Sequence, residues 1–85
     1  KTLTLKNRLG LHARAAAKLV HVTGGFSSKV LLVTDGEEVD GKSIMGLMML
    51  AAGHGSIITV VSEGSDADAA LEAIGDLISR KFEED

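Results

Sequence analysis

From Thr2 to Lys6 polar and apolar residues alternate, with Leu3 and Leu5 on one side, which is the period of a half-buried strand. Asn7-Arg8-Leu9-Gly10 breaks the alternation and predicts a loop that ends at Gly10. Beyond Ala13 the period lengthens, so that Ala16, Leu19, Val20 and Thr23 share one helical face. The alanines at 13, 15, 16 and 17 favour that helix, and Gly24-Gly25 supplies its stop. Lys29 to Thr34 is β-branched and aliphatic, Asp35-Gly36 is a two-residue turn of the kind tight hairpins use, and Glu37 to Val39 can pair back. Between Ser43 and Leu50 a second helix is predicted from Ile44, Leu47, Met48 and Ala51, kept short by Gly46 and Gly53. Ser56 to Ser62 carries Ile57, Ile58, Val60 and Val61 between Gly55 and Gly64, a composition suited to a central strand. Ser65 then reads as the N-cap of a last helix, with Asp66 and Asp68 at its first and third positions. Ala67, Ala70, Leu71, Ile74, Leu77, Ile78 and Phe82 extend one face of it for roughly five turns, with Arg80 and Lys81 near its negative end.

The predicted order is βαββαβα. One strand pair is a hairpin, and strict βαβα alternation is absent, so a doubly wound parallel sheet is disfavoured. The expected fold is α/β of the α+β type: an open-faced sandwich with a four-stranded antiparallel sheet and three helices on one face. At 85 residues the whole chain, 1–85, is expected to be a single domain. Leu, Ile, Val and Phe supply 25 residues, enough for a core.

Composition removes several classes of function. The chain has no Cys, which excludes a disulfide framework, a Cys-based zinc site and thiol catalysis. Two Phe, no Trp and no Tyr leave almost no stacking platforms, and the net charge of −3 repels polyanions, so nucleic acid is not an expected partner. No apolar run approaches the roughly 20 residues that span a bilayer, and Lys1 to Thr4 lacks a signal-peptide core, so a cytoplasmic protein without membrane insertion is expected. His12, His21 and His54 have no clustered metal-ligand spacing, so neither a metal nor a cofactor is expected. His21 and His54 read as surface residues.

His12 lies between Gly10-Leu11 and the first helix, where free backbone N–H groups and the dipole attract an anion. Arg14, two residues on, can hold phosphoryl oxygens by paired charge-assisted hydrogen bonds. From spacing alone the pair fits two readings: a phosphohistidine site, or a solvated loop histidine beside a surface charge. Ser43 opens the short helix and reads either as a plain N-cap or as a phosphorylation site at the same dipole end. If Leu47 and Leu50 point into the core, Ile44, Met45 and Met48 stay partly exposed as a flexible docking patch; otherwise all are buried.

With these stretches together, the sequence resembles the HPr family, the histidine-containing phosphocarriers of the bacterial phosphoenolpyruvate-dependent sugar phosphotransferase system. The resemblance rests on Gly10-Leu11-His12-Ala13-Arg14, Ala16-Ala17, Leu19-Val20, Lys42-Ser43-Ile44-Met45-Gly46-Leu47-Met48, Gly55-Ser56 and Glu63-Gly64, in order along nearly the whole chain. It implies that His12 accepts a phosphoryl group on Nδ1 from enzyme I and passes it to an enzyme IIA domain, with Arg14 stabilising the phosphate. It implies a regulatory phosphorylation at Ser43 by an ATP-dependent HPr kinase/phosphorylase, and in the alternative reading as a regulatory module a transcriptional regulator binds that form. Ala13, Ala17, Ile44, Met45 and Met48 resemble the partner-docking surface. Such a protein is a carrier that works only with partner enzymes, and a monomer is expected. Ala15 departs from the pattern, standing where the family usually has proline, and His21 and Gly24 stand where many relatives carry lysines. Two alternatives remain beside the sugar-transport carrier: a regulatory module acting through Ser43, and a nitrogen-type regulatory phosphotransfer branch.

Overall fold

A computed structural model describes residues 1–50 and 52–83. The elements run β1 (Thr2–Thr4), α1 (Ala13–Thr23), β2 (Lys29–Thr34), β3 (Glu37–Asp40), α2 (Ile44–Met49), β4 (Ile57–Glu63) and α3 (Ala67–Ser79), with a short turn of 3₁₀ type over Lys81–Glu83. The four strands form one antiparallel sheet in the order β1-β4-β2-β3. The open-faced sandwich follows from how each strand divides its side chains. Across the sheet Leu3 faces Ile58, and Val60, Leu32 and Val39 lie in one row. This side carries Val30, Leu32, Ile58 and Val60, all fully buried, and the helices cover it. The alternate residues Leu31, Val33, Ile57, Thr59 and Val61 face away from the helices, exposed or half-buried. Each apolar side chain taken fully from water on the covered side contributes about 1.5–3 kcal/mol.

The hairpin turns as its residues require: Asp35 and Gly36 both have positive φ, 50° and 79°, the pairing a type I′ turn demands. In α1 the buried stripe is Ala15, Ala16, Leu19 and Thr23, and the glycine pair closes the helix, Gly24 N–H donating to the Val20 carbonyl at 2.8 Å and Gly25 N–H to the Val22 carbonyl at 3.1 Å. In α2, Leu47 is fully buried and Leu50 nearly so, leaving the rest of this short helix outside the core. Ala51, placed on its inner face by spacing, lies outside the described residues.

Two expectations for the last helix are corrected. Ser65 is not its N-cap: that position belongs to Asp66, and the carboxylate turns to another segment, accepting from the backbone N–H of Ser27 and of Ser28, each at 2.9 Å. Both serine hydroxyls donate to it as well. These bonds, the Ser28 hydroxyl foremost, bring the Asp66 carboxyl from its ordinary 3.8 down to about 2. Nor does the helix run on to Phe82. It stops at Ser79, and Lys81, Phe82 and Glu83 adopt left-handed backbone with φ of 55° to 60°. Phe82 still reaches the core, fully buried, while Lys18 Nζ donates to its carbonyl at 2.6 Å.

Candidate functional site

The loop before α1 is held from below by backbone and amide contacts. Asn7 is fully buried, and its Nδ2 donates to the Gly10 carbonyl at 2.7 Å. Leu11 N–H donates to the Ala52 carbonyl at 2.8 Å, while Gly55 N–H donates to Leu5 at 2.9 Å, so loop 52–56 lies against loop 5–11. Gly10 sits in the contact with φ of 64°, and a Cβ there would stand 2.3 Å from the Ala52 oxygen. A glycine is therefore required where the chain turns into His12.

His12 is the N-cap of α1, with extended backbone, and its carbonyl accepts the first bond of the helical ladder from Ala16 N–H at 2.9 Å. Its ring does what a serine or aspartate oxygen does at other caps: Nδ1 accepts the backbone N–H of Arg14 at 3.3 Å. An Nδ1 that accepts a hydrogen bond carries its lone pair there, and the ring is half-buried with that lone pair turned to the positive end of the helix. The structure thus brings His12 and Arg14 together through the arginine's main chain. The Arg14 side chain is exposed and borders a cleft of about 370 Å³ between α1 and the end of α3, whose other lining includes Ala17, Lys18, His21, Arg80 and Glu83. Ala13 and Ala17 both lie on the exposed side of α1.

Ser43 is the N-cap of α2, as its position predicts, and its Oγ accepts the Gly46 N–H at 3.0 Å. Next to it the apolar surface is open: Ile44 is 41%, Met45 75% and Met48 45% exposed. Met49, at 75%, extends the same patch, and Leu9 in the loop before His12 is also exposed. Neither was singled out from sequence. Counting Leu47 and Leu50 as core leaves Met49 outside as plainly as Met48, so that signal was present; Leu9 gave none. His21 and His54 are exposed. Among the described residues no group of three or more metal-ligating side chains comes together, and no helix is long and apolar enough to cross a membrane.

A half-buried histidine capping a helix, on an open-faced sandwich, with an apolar patch on a neighbouring short helix, matches one class of small phosphoryl-carrying proteins. A family profile described as "PTS HPr component phosphorylation site" covers residues 1–80. The phosphocarrier protein HPr of Cupriavidus necator is 51% identical over 81 residues, which is 95% of this chain and 91% of that protein. Among solved structures, HPr-C-His from Thermoanaerobacter tengcongensis superposes with a TM-score of 0.96 at 41% identity, covering 100% of this chain and 96% of that one. An HPr dimer from the same organism gives a TM-score of 0.80 at 41% identity, covering 94% and 92% of the two chains. The chain belongs to the HPr family of phosphocarrier proteins of the phosphotransferase system.

Proposed function

We propose that this chain carries a phosphoryl group on His12 Nδ1, received from enzyme I and delivered to an enzyme IIA domain. The observation that supports this most directly is the Arg14 N–H donated to Nδ1 at 3.3 Å. As the acceptor, Nδ1 is the unprotonated ring nitrogen, and its lone pair attacks phosphorus at the N-terminus of α1 once this hydrogen bond is given up. In transfer, the Nδ1–P bond forms as the donor's bond to phosphorus breaks, and the donor leaves with that electron pair. The phosphoryl oxygens then take over the amide that Nδ1 had accepted from, a stronger acceptor at the same dipole end. The Arg14 guanidinium, free to swing at the edge of the cleft, meets charge that builds on those oxygens. Ala15 is the third residue of α1 and precedes the first ladder bond. Where the family usually has proline, it adds one more main-chain N–H to this end of the helix. Delivery to the acceptor is the same step in reverse. The partner enzymes supply most of the remaining apparatus, and Ala13, Ala17, Ile44, Met45 and Met48 form the surface on which they dock.

Incubation with enzyme I and phosphoenolpyruvate, read by intact mass and phosphorus NMR, tests this. His12→Ala loses the acid-labile adduct, while His21→Gln and His54→Gln keep it. Arg14→Ala transfers at least tenfold more slowly, about 1.4 kcal/mol of transition-state stabilisation, with its melting temperature unchanged. A phosphohistidine signal surviving in His12→Ala would overturn the assignment, and a wild-type rate in Arg14→Ala would leave that residue a surface charge. Ser43, at the cap of α2, is the regulatory site in this reading: an ATP-dependent kinase places a phosphate there, and a transcriptional regulator reads it.

A further inference from the structure

All the sulfur in this chain lies on one short helix. The sequence has three methionines, Met45, Met48 and Met49, and no cysteine. All three fall within the six residues of α2. None serves the core, which among the described residues is built from Leu, Ile, Val, Ala and Phe82. Met45 and Met49 are each 75% exposed and Met48 45%, so all three residues meet solvent. Leucine would give the same apolar area at these positions. What sulfur adds is a polarisable lone pair open to oxidants, with no thiol elsewhere in the molecule to intercept them.

We propose that Met45, Met48 and Met49 form an oxidation site through which hydrogen peroxide lowers docking at the α2 face, an inference resting on the reading of that face as the docking surface. The thioether lone pair attacks one peroxide oxygen. The S–O bond forms as the O–O bond breaks, and the departing hydroxide takes up the remaining proton to leave as water. Sulfur is oxidised to the sulfoxide and the peroxide is reduced. Each sulfoxide oxygen is a strong hydrogen-bond acceptor, hydrated in the free protein, that must lose its water when a partner's apolar surface closes over it. The fold is insulated from the change: α2 is anchored by Leu47 and Leu50 and capped by Ser43, none of which is oxidised under these conditions. Exposure sets the order, with Met45 and Met49 oxidised before Met48. Enzymatic reduction by methionine sulfoxide reductase, with an added dithiol oxidised to its disulfide and the sulfoxide oxygen leaving as water, restores the surface.

The test treats the protein with hydrogen peroxide, follows oxygen uptake by peptide mass mapping, and measures the KM of enzyme I for each oxidised form alongside its melting temperature. The expected result is a KM raised roughly tenfold or more, an unchanged melting temperature, and recovery after methionine sulfoxide reductase. A Met45→Leu/Met48→Leu/Met49→Leu variant is compared only with itself before and after peroxide, and its KM does not change. An unchanged KM in fully oxidised protein overturns the inference, as does a rise that the leucine variant shares or that comes with a fallen melting temperature. If untreated protein is not phosphorylated by enzyme I at all, the carrier reading fails instead, and the two failures are distinguishable.

Discussion

His12 Nδ1 and Ser43 Oγ, the two atoms on which the proposed function places a phosphoryl group, are each the side-chain acceptor that closes the N-terminus of a helix. The acceptor that caps is the atom that a phosphoryl group would take, so modification at either place puts oxygens where unpaired amides and the dipole already favour negative charge. Folding is therefore spared while the surface changes. At Ser43 the added charge lies beside exposed Ile44 and Met45, and an apolar partner closing over it must strip its water. Ser43→Asp raises the KM for enzyme I and slows His12 phosphorylation. Ser43→Ala loses about 1 kcal/mol of capping and is phosphorylated at the normal rate. Calorimetric titration with enzyme I checks both, and equal affinities for wild type and Ser43→Asp would leave Ser43 a cap and nothing more.

Among the elements, those whose signal is local were legible in the sequence. Both ends of α1, the Asp35-Gly36 hairpin and the Ser43 cap each rest on residues within one turn of the feature they set. The last helix departs from its sequence pattern at both ends for a common reason. Ser65 and Asp66 are both good capping residues, and what decides between them is Ser27 and Ser28, 39 and 38 residues from Asp66 in sequence. At the other end, Phe82 stands at the next core position of the helical pattern after Ile78, and periodicity cannot distinguish a helix that continues from a left-handed turn that delivers the same ring. The candidate site divides the same way: the place of His12 and Arg14 at the start of α1 is legible from the loop-helix junction, but the buried Asn7 and the fit of Gly10 against Ala52 depend on a second loop that no local pattern reveals. Left-handed backbone at Lys81, Phe82 and Glu83 is disfavoured in residues with a Cβ, and the burial of Phe82 with the Lys18 bond to its carbonyl holds it in place. The exposed pairs of Arg80 with Asp76 and Glu83 add little. Phe82→Ala thus costs about 3–5 kcal/mol, a large part of the stability of a domain this size. Urea unfolding measures it, and a loss below about 1 kcal/mol would show that the turn is held by something other than the ring.

Across the whole molecule, α1 and α3 run in opposite senses. The end of α3 borders the cleft beside Arg14, whereas its start is tied by Asp66 to Ser27 and Ser28, just past the far end of α1. At 1.5 Å per residue the 11 residues of α1 put this clasp about 16 Å from His12. It ties the start of α3 to the bend that leads into β2, at the pole opposite His12, so stability and the proposed transfer are separable there. The sign of its pH dependence follows from the carboxyl, held at about 2 in the folded chain against an ordinary 3.8. The clasp's contribution is fully present above the ordinary value and is lost as pH falls from there through about 2, where the folded protein too becomes protonated. Asp66→Asn removes this titration and leaves the other carboxylates alone, so the stability gap between wild type and variant isolates it. That gap is widest near neutral pH, narrows between the two values and levels off below about 2, while phosphorylation of His12 in the variant proceeds at the wild-type rate. Urea titrations of both proteins across this range measure the gap; one that does not change with pH would mean that the carboxylate charge contributes nothing to the clasp.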